Sequence, residues 1–210
     1  MEETLKTGTT TLAIKCVDGI VTAADKRATA GSLIVQRDIE KVFPLNERLV
    51  VTIAGSVSDI QLLVKYFKAE LKINSLRIGR LLTVKEAANL LASYVYSGIR
   101  SMGSVTHFLL SGTDEQGYHV YDIFPDGSLS YIHEFVCSGS GSVFAMGLLE
   151  GDYQKELTVQ QAIPLAKKAM NSALVRDASS GNGAIIYSLS KDGIKKEADI
   201  TVHTGINFKE

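Results

Sequence analysis

A glycine followed by three threonines stands close to the start of the chain, in Thr7-Gly8-Thr9-Thr10-Thr11. Breaking the Gly8–Thr9 bond would give Thr9 a free α-amine beside its own hydroxyl, a base and a nucleophile in one residue. The amine suits the task. Its reference pKa is roughly 8 against roughly 10.4 for lysine, so it can take a proton near neutrality. The same five residues also read as an ordinary entry into an edge strand, because β-branched residues favour extended backbone.

A hydroxyl nucleophile needs an electrostatic partner, an oxyanion donor and groups that hold it still. Asp25, Lys41, Gly55, Ser140, Asp177 and Ser180 are candidates, each at a predicted strand end or turn. Taken singly, each is better explained as an ion pair, a turn residue or a cap. Competing chemistries find less support. Ser138-Gly139-Ser140-Gly141-Ser142 before a helix would present N–H groups to an anion, but neither a Walker lysine pattern nor GxGxxG accompanies it. No GxSxG elbow occurs. His107, His119, His133 and His203 lie in or beside predicted strands without metal-ligand spacing, and read as packing or surface residues.

The bulk properties narrow the class. With 210 residues, 45% of them hydrophobic, the chain suits one domain with a substantial core. Its 22 Lys and Arg against 23 Asp and Glu leave a net charge of −1, which gives no electrostatic case for nucleic acid or an anionic membrane. Cys16 and Cys137 lack CxxC spacing, so buried thiols in a reducing cytosol are the expectation. Residues 1–6 have neither the basic nor the apolar region of a secretory signal, and no apolar run is long enough for a transmembrane helix.

The elements that must position these residues follow from periodicity. Short β-rich runs over 10–15 and 19–24 flank an Asp18-Gly19 turn signal, and a run over 48–53, apolar on both faces, closes at Ala54-Gly55-Ser56. Ile60, Leu63, Val64, Phe67 and Leu71 then recur at helical spacing behind a Ser58 or Asp59 cap, predicting a helix of about five turns. Thr83-Val84-Lys85-Glu86 is a capping box for a second helix that should stop between Gly98 and Gly103. Four strands are predicted at 107–111, 118–123, 128–132 and 134–137. A short helix to about Gly151, a longer one from Thr158 to about Asp177, and strands over 184–189 and 194–196 complete the chain. This order excludes simple βαβ alternation. It predicts two sheets packed face to face with a helix pair outside each.

Considered jointly, the opening threonines with Ala23-Ala24-Asp25-Lys26-Arg27, Glu40-Lys41, Ile53-Ala54-Gly55, Gly139-Ser140-Gly141 and Arg176-Asp177-Ala178-Ser179-Ser180-Gly181 resemble the β subunits of the archaeal-type proteasome core, in order and spacing over almost the whole chain. The resemblance implies an α+β fold, the four-layer αββα sandwich of N-terminal-nucleophile hydrolases. It implies a threonine endopeptidase whose residues 1–8 are a propeptide removed between Gly8 and Thr9, leaving 9–210 as one catalytic domain. In such an enzyme Lys41 near Thr9 would favour the alkoxide-like hydroxyl and disfavour protonation of the amine, with Asp25 pairing its ammonium. The N–H of Gly55 would be the oxyanion donor. Ser140, Asp177 and Ser180 would hold the amine and hydroxyl, and Arg27 would buttress the acids. Neither a metal nor an organic cofactor is required.

By the same resemblance, backbone groups of Thr29 and Val57 would pair with an extended substrate. Ala28, Ile39, Phe43, Ile53, Val57 and Gln61 would line the first specificity pocket. None carries a formal charge, so cleavage after hydrophobic residues is expected. Implied partners are other β subunits in a seven-membered ring, α-subunit rings, an ATPase regulator and unfolded polypeptide, with no nucleic acid and no membrane. A non-catalytic or unprocessed ring subunit of the same particle is the alternative. The bacterial two-ring relative fits less well, given the two C-terminal strands and the long third helix.

Overall fold

The computed structural model describes residues 8–55, 57–102 and 105–202, with side chains at all of these except 57–61 and 101–102. The elements in chain order are β1 (Thr10–Lys15), β2 (Gly19–Asp25), β3 (Ala28–Ala30), β4 (Leu33–Gln36), β5 (Val42–Pro44), β6 (Leu49–Gly55), α1 (Val57–Ile78) and α2 (Val84–Met102). They continue with β7 (Thr106–Asp114), β8 (Gly117–Ile123), β9 (Leu129–Ile132), β10 (Phe135–Gly139), α3 (Ser142–Asp152), α4 (Val159–Arg176), β11 (Gly183–Ser190) and β12 (Gly193–Thr201).

Two five-stranded antiparallel sheets, ordered β10-β1-β2-β11-β12 and β5-β6-β7-β8-β9, form the middle of the molecule, with β3 and β4 as a separate pair. Strand alternation sorts their side chains into three cores. Leu12, Ile14, Val21, Ala23, Ala184 and Ile186 face α3 and α4, where Leu149, Ala162, Ala166 and Met170 meet them. Ala13, Ile20, Ala24, Ile185 and Leu189 meet Val42, Val50, Leu109 and Val120 between the sheets. Leu49, Val51, Ile53, Phe108 and Leu110 face Phe67 and Leu71 of α1 and Leu91 and Val95 of α2. β1, β2 and β6 are therefore covered on both faces, which is why their sequences are nearly continuously apolar. Each fully buried Leu, Ile or Phe contributes about 1.5–3 kcal/mol. The layers are helix, sheet, sheet, helix.

Local signals and structure differ in instructive places. The Thr83 box is made in both directions, Glu86 N–H to Thr83 Oγ1 and Thr83 N–H to the Glu86 carboxylate, and α4 carries a second box between Thr158 and Gln161. α1 begins at Val57, so Ser58 and Asp59 lie inside its first turn rather than capping it, and its 22 residues make about six turns. α2 runs through Gly98, whose cost in a helix of about 1 kcal/mol is outweighed by the buried stripe from Val84 to Val95. Gly103 and His203 lie outside the described residues. β12 extends to Thr201 because it pairs along all of β11 around a bulge at Ile186/Tyr187. β10 follows β9 in the chain but joins the other sheet, as the edge beside β1. Among the described residues no helix is long and apolar enough to cross a membrane.

Candidate active site around Thr9

The site is assembled where β1 starts, β2 ends and β10 ends. Pairing of β1 with β10 sets Thr10 opposite Gly139, and pairing of β1 with β2 sets Thr11 opposite Ala24. Gly139 has φ +88°, and a Cβ there would lie 2.0 Å from the Thr9 carbonyl oxygen and 3.5 Å from Ala54 Cβ. A bare backbone is thus what lets Thr9 and the end of β6 approach each other.

Asp25, at the end of β2, is buried and accepts four hydrogen bonds. Its Oδ1 takes Lys41 Nζ at 2.7 Å and Thr10 N–H at 3.0 Å. Its Oδ2 takes the N–H groups of Arg27 and Gly181, both at 3.0 Å. The Lys41 ammonium has three protons and three acceptors, Asp25 Oδ1, the Arg27 carbonyl at 2.5 Å and the Gly8 carbonyl at 3.4 Å. Burial lowers the Lys41 pKa below the ordinary lysine value, and attraction to Asp25 opposes that without reversing it. The Thr9 hydroxyl donates to the same Gly8 oxygen at 2.7 Å. Two donors, one of them charged, therefore converge on the carbonyl of the Gly8–Thr9 bond.

A second set of groups holds the Thr9 nitrogen. Thr9 N–H donates to Ser140 Oγ at 3.2 Å, and Ser140 Oγ lies 2.6 Å from Asp177 Oδ2. Ser180 also donates to that oxygen at 2.6 Å, so its own oxygen is left to accept the Thr10 hydroxyl at 2.7 Å. Asp177 is fixed as the C-cap of α4, and its Oδ1 accepts Ser179 N–H. Ser140 itself is exposed, so water reaches the site from that side.

All six polar or charged candidates, Thr9, Asp25, Lys41, Ser140, Asp177 and Ser180, are brought together. Arg27 donates instead to Asn182 Oδ1 and the Ala178 carbonyl, and so ties the end of β2 to the 177–182 loop rather than pairing with an acid. Gly55 ends β6 with φ +143°, and a Cβ there would meet the Val105 carbonyl oxygen at 2.5 Å. Its N–H makes no described hydrogen bond to the Gly8 oxygen. Of the pocket candidates, Ala28 and Ile39 are buried, Phe43 is half-buried against the core beneath α1 and α2, and Ile53 is wholly inside that core. The side chains of Val57 and Gln61 lie outside the described set. Thr10 and Asn182 are site residues the sequence did not single out, and Gly181 stood in the 176–181 run without a role of its own. The position of Thr10 inside the threonine run was the only hint of its part. His107 pairs with Asp122 and His119 with Asp114, away from Thr9. Among the described residues no group of His, Cys, Asp or Glu side chains is arranged to hold a metal.

Two antiparallel sheets between helix layers, with Thr9 and Lys41 converging on one carbonyl at their mouth, define an α+β sandwich of the N-terminal-nucleophile hydrolase type. A family model described as proteasome subunit matches residues 5–189. The proteasome subunit beta of Methanothermobacter thermautotrophicus is 40% identical over 191 residues, 91% of this chain and 90% of that one. That of Methanococcus maripaludis is 37% identical over 196 residues, covering 93% and 89%, and that of Nanoarchaeum equitans 35% identical over 188, covering 90% and 96%. The chain belongs to the proteasome subunit family, whose members assemble into a multi-subunit particle.

Proposed function

We propose that this chain is a catalytic β subunit and a threonine endopeptidase, made as a zymogen that cuts its own Gly8–Thr9 bond. The observation that carries the reading is the convergence of the Thr9 hydroxyl and the Lys41 ammonium on the Gly8 carbonyl oxygen. Thr9 Oγ1 adds to the Gly8 carbonyl carbon and passes its proton to a solvent water, which returns one to the nitrogen in the next step. The C–N bond then breaks, the acyl group passes from nitrogen to oxygen, and the nitrogen takes a proton to become the amine. Water hydrolyses the resulting ester, releasing residues 1–8 with a Gly8 carboxylate and restoring the hydroxyl. The remaining 9–210 form one catalytic domain.

On a substrate, the freed amine accepts the hydroxyl proton as Thr9 attacks and passes it to the leaving amine. It then activates the water that hydrolyses the acyl-enzyme. Lys41, held charged against Asp25, stabilises negative charge developing at Thr9, and the Gly55 N–H serves the substrate oxyanion. Losing such a donor costs about 10²–10³ in rate. Ser140, Asp177 and Ser180 keep the amine in place. Backbone groups of Thr29 and Val57 bind extended, unfolded polypeptide, and the uncharged first pocket favours cleavage after hydrophobic residues. The working particle is a seven-membered β ring between α-subunit rings, fed by an ATPase regulator.

Intact mass and fluorogenic peptides test this together. The assembled wild-type protein should lose residues 1–8 and turn over peptides with hydrophobic residues before the cut at least tenfold faster than those with Arg or Glu, ~1.4 kcal/mol in barrier. Thr9→Ala should keep residues 1–8 and show no turnover. A wild type that retains residues 1–8 in the assembled particle would instead mark a non-catalytic ring subunit.

A further inference from the structure

Gly8 is held at three points. Its carbonyl accepts from Thr9 and Lys41. Its Cα lies against the 177–182 loop so closely that a Cβ would fall 1.7 Å from Ser179 Cβ. Its N–H donates to a side chain, the Thr29 hydroxyl, at 3.1 Å, in a contact buried on both sides. The first two contacts act on the carbonyl and the Cα. Among the described contacts, only the third acts on the Gly8 N–H, and so bears on the rotation about the N–Cα bond on which the carbonyl direction depends. Glycine has no side chain to restrict that rotation itself.

We infer that the Thr29 hydroxyl is a positioning group for self-cleavage, anchoring the Gly8 N–H so that the Gly8 carbonyl faces Thr9. This rests on the reading of Gly8–Thr9 as the processed junction. It is separate from main-chain pairing between Thr29 and substrate, because the hydroxyl belongs to the side chain and the main-chain groups survive its removal. Thr29→Val keeps the β-branched shape and loses the hydroxyl that accepts from Gly8 N–H, whereas Thr29→Ser keeps a hydroxyl.

The test follows the loss of residues 1–8 by intact mass in the full-length, assembled protein. Thr29→Val should slow processing ~10-fold, the value of about one hydrogen bond, and Thr29→Ser should process within about twofold of wild type. The slowing in Thr29→Val should exceed whatever loss of peptide turnover its matured fraction shows. A melting temperature matching wild type establishes that the valine chain is folded. Processing of Thr29→Val at the wild-type rate overturns the inference and leaves the junction reading intact. So does a serine variant as slow as valine, or equal losses in processing and turnover. A wild type that never loses residues 1–8 instead overturns the junction reading itself.

Discussion

Lys41 uses every proton it has, and this makes its charge the controlling quantity at the residue scale. Burial lowers its pKa from the ordinary 10.5, so the ammonium titrates earlier than a surface lysine would. Between that lowered value and 10.5 the unfolded chain holds a proton that the native chain has released. Proton binding is then greater in the unfolded state, and this group's contribution to stability rises with pH across the window. Activity should move the opposite way, because the charge at Thr9 is being lost. Asp25 is what keeps the ammonium protonated against burial, so Asp25→Asn should move the alkaline limb of kcat/KM to lower pH. It should also cut the rate at neutral pH at least about a hundredfold, ~2.7 kcal/mol in barrier. A pH–rate profile of the variant checks both. An unmoved alkaline limb would show that Lys41 does not titrate in catalysis.

At the scale of elements, the site depends on one sheet edge. Because β10 pairs with β1, Ser140 reaches the Thr9 nitrogen and Gly139 passes under its carbonyl. An alanine at 139 would combine a left-handed φ with a Cβ 2.0 Å from that oxygen. Gly139→Ala should therefore cost ~2 kcal/mol or more, about 4–8 °C of melting temperature for a chain this long, and should slow removal of residues 1–8 by displacing Thr9. Calorimetry with intact mass reads both effects. The sequence made the Thr83 capping box, the Thr158 cap and the apolar central strands legible, since caps and burial act over a few neighbouring residues. The partner of β10 was not legible, because its short, mixed sequence fits an edge of either sheet. Among site residues, those sharing a recognisable pattern, Thr9, Asp25, Lys41, Ser140, Asp177 and Ser180, could be named from it. Thr10 and the Thr29 hydroxyl act through a backbone N–H or a side-chain oxygen, and Gly181, though within the 176–181 run, serves Asp25 through its N–H; residue type and spacing do not reveal such roles until the fold brings the groups together.

For the whole molecule, what lies on the surface matters as much as the cores. Leu33 and Val35 alternate along β4 and are 66% and 57% exposed, at the outer side of the small β3–β4 pair. Leu62, Tyr66 and Leu76 are exposed on α1, and Val143 and Val175 on the opposite helix layer. A chain of net charge −1 exerts little net attraction or repulsion on its copies, so burial of such residues is the driving force to test for the assembly its family forms. Two consequences separate this from electrostatic association. Assembly size should be retained at about 1 M salt, where screening acts within about 3 Å and hydrophobic burial is undiminished. Leu33→Lys combined with Val35→Lys should instead shift size-exclusion elution to smaller species at ordinary salt, because each apolar side chain withheld from burial forfeits about 1.5–3 kcal/mol per copy. The two residues contribute to none of the three cores, so far-ultraviolet circular dichroism of the double variant should match wild type. Elution unchanged from wild type would remove β4 from the assembly surface and leave the exposed faces of α1 and of the α3–α4 layer to carry the contact.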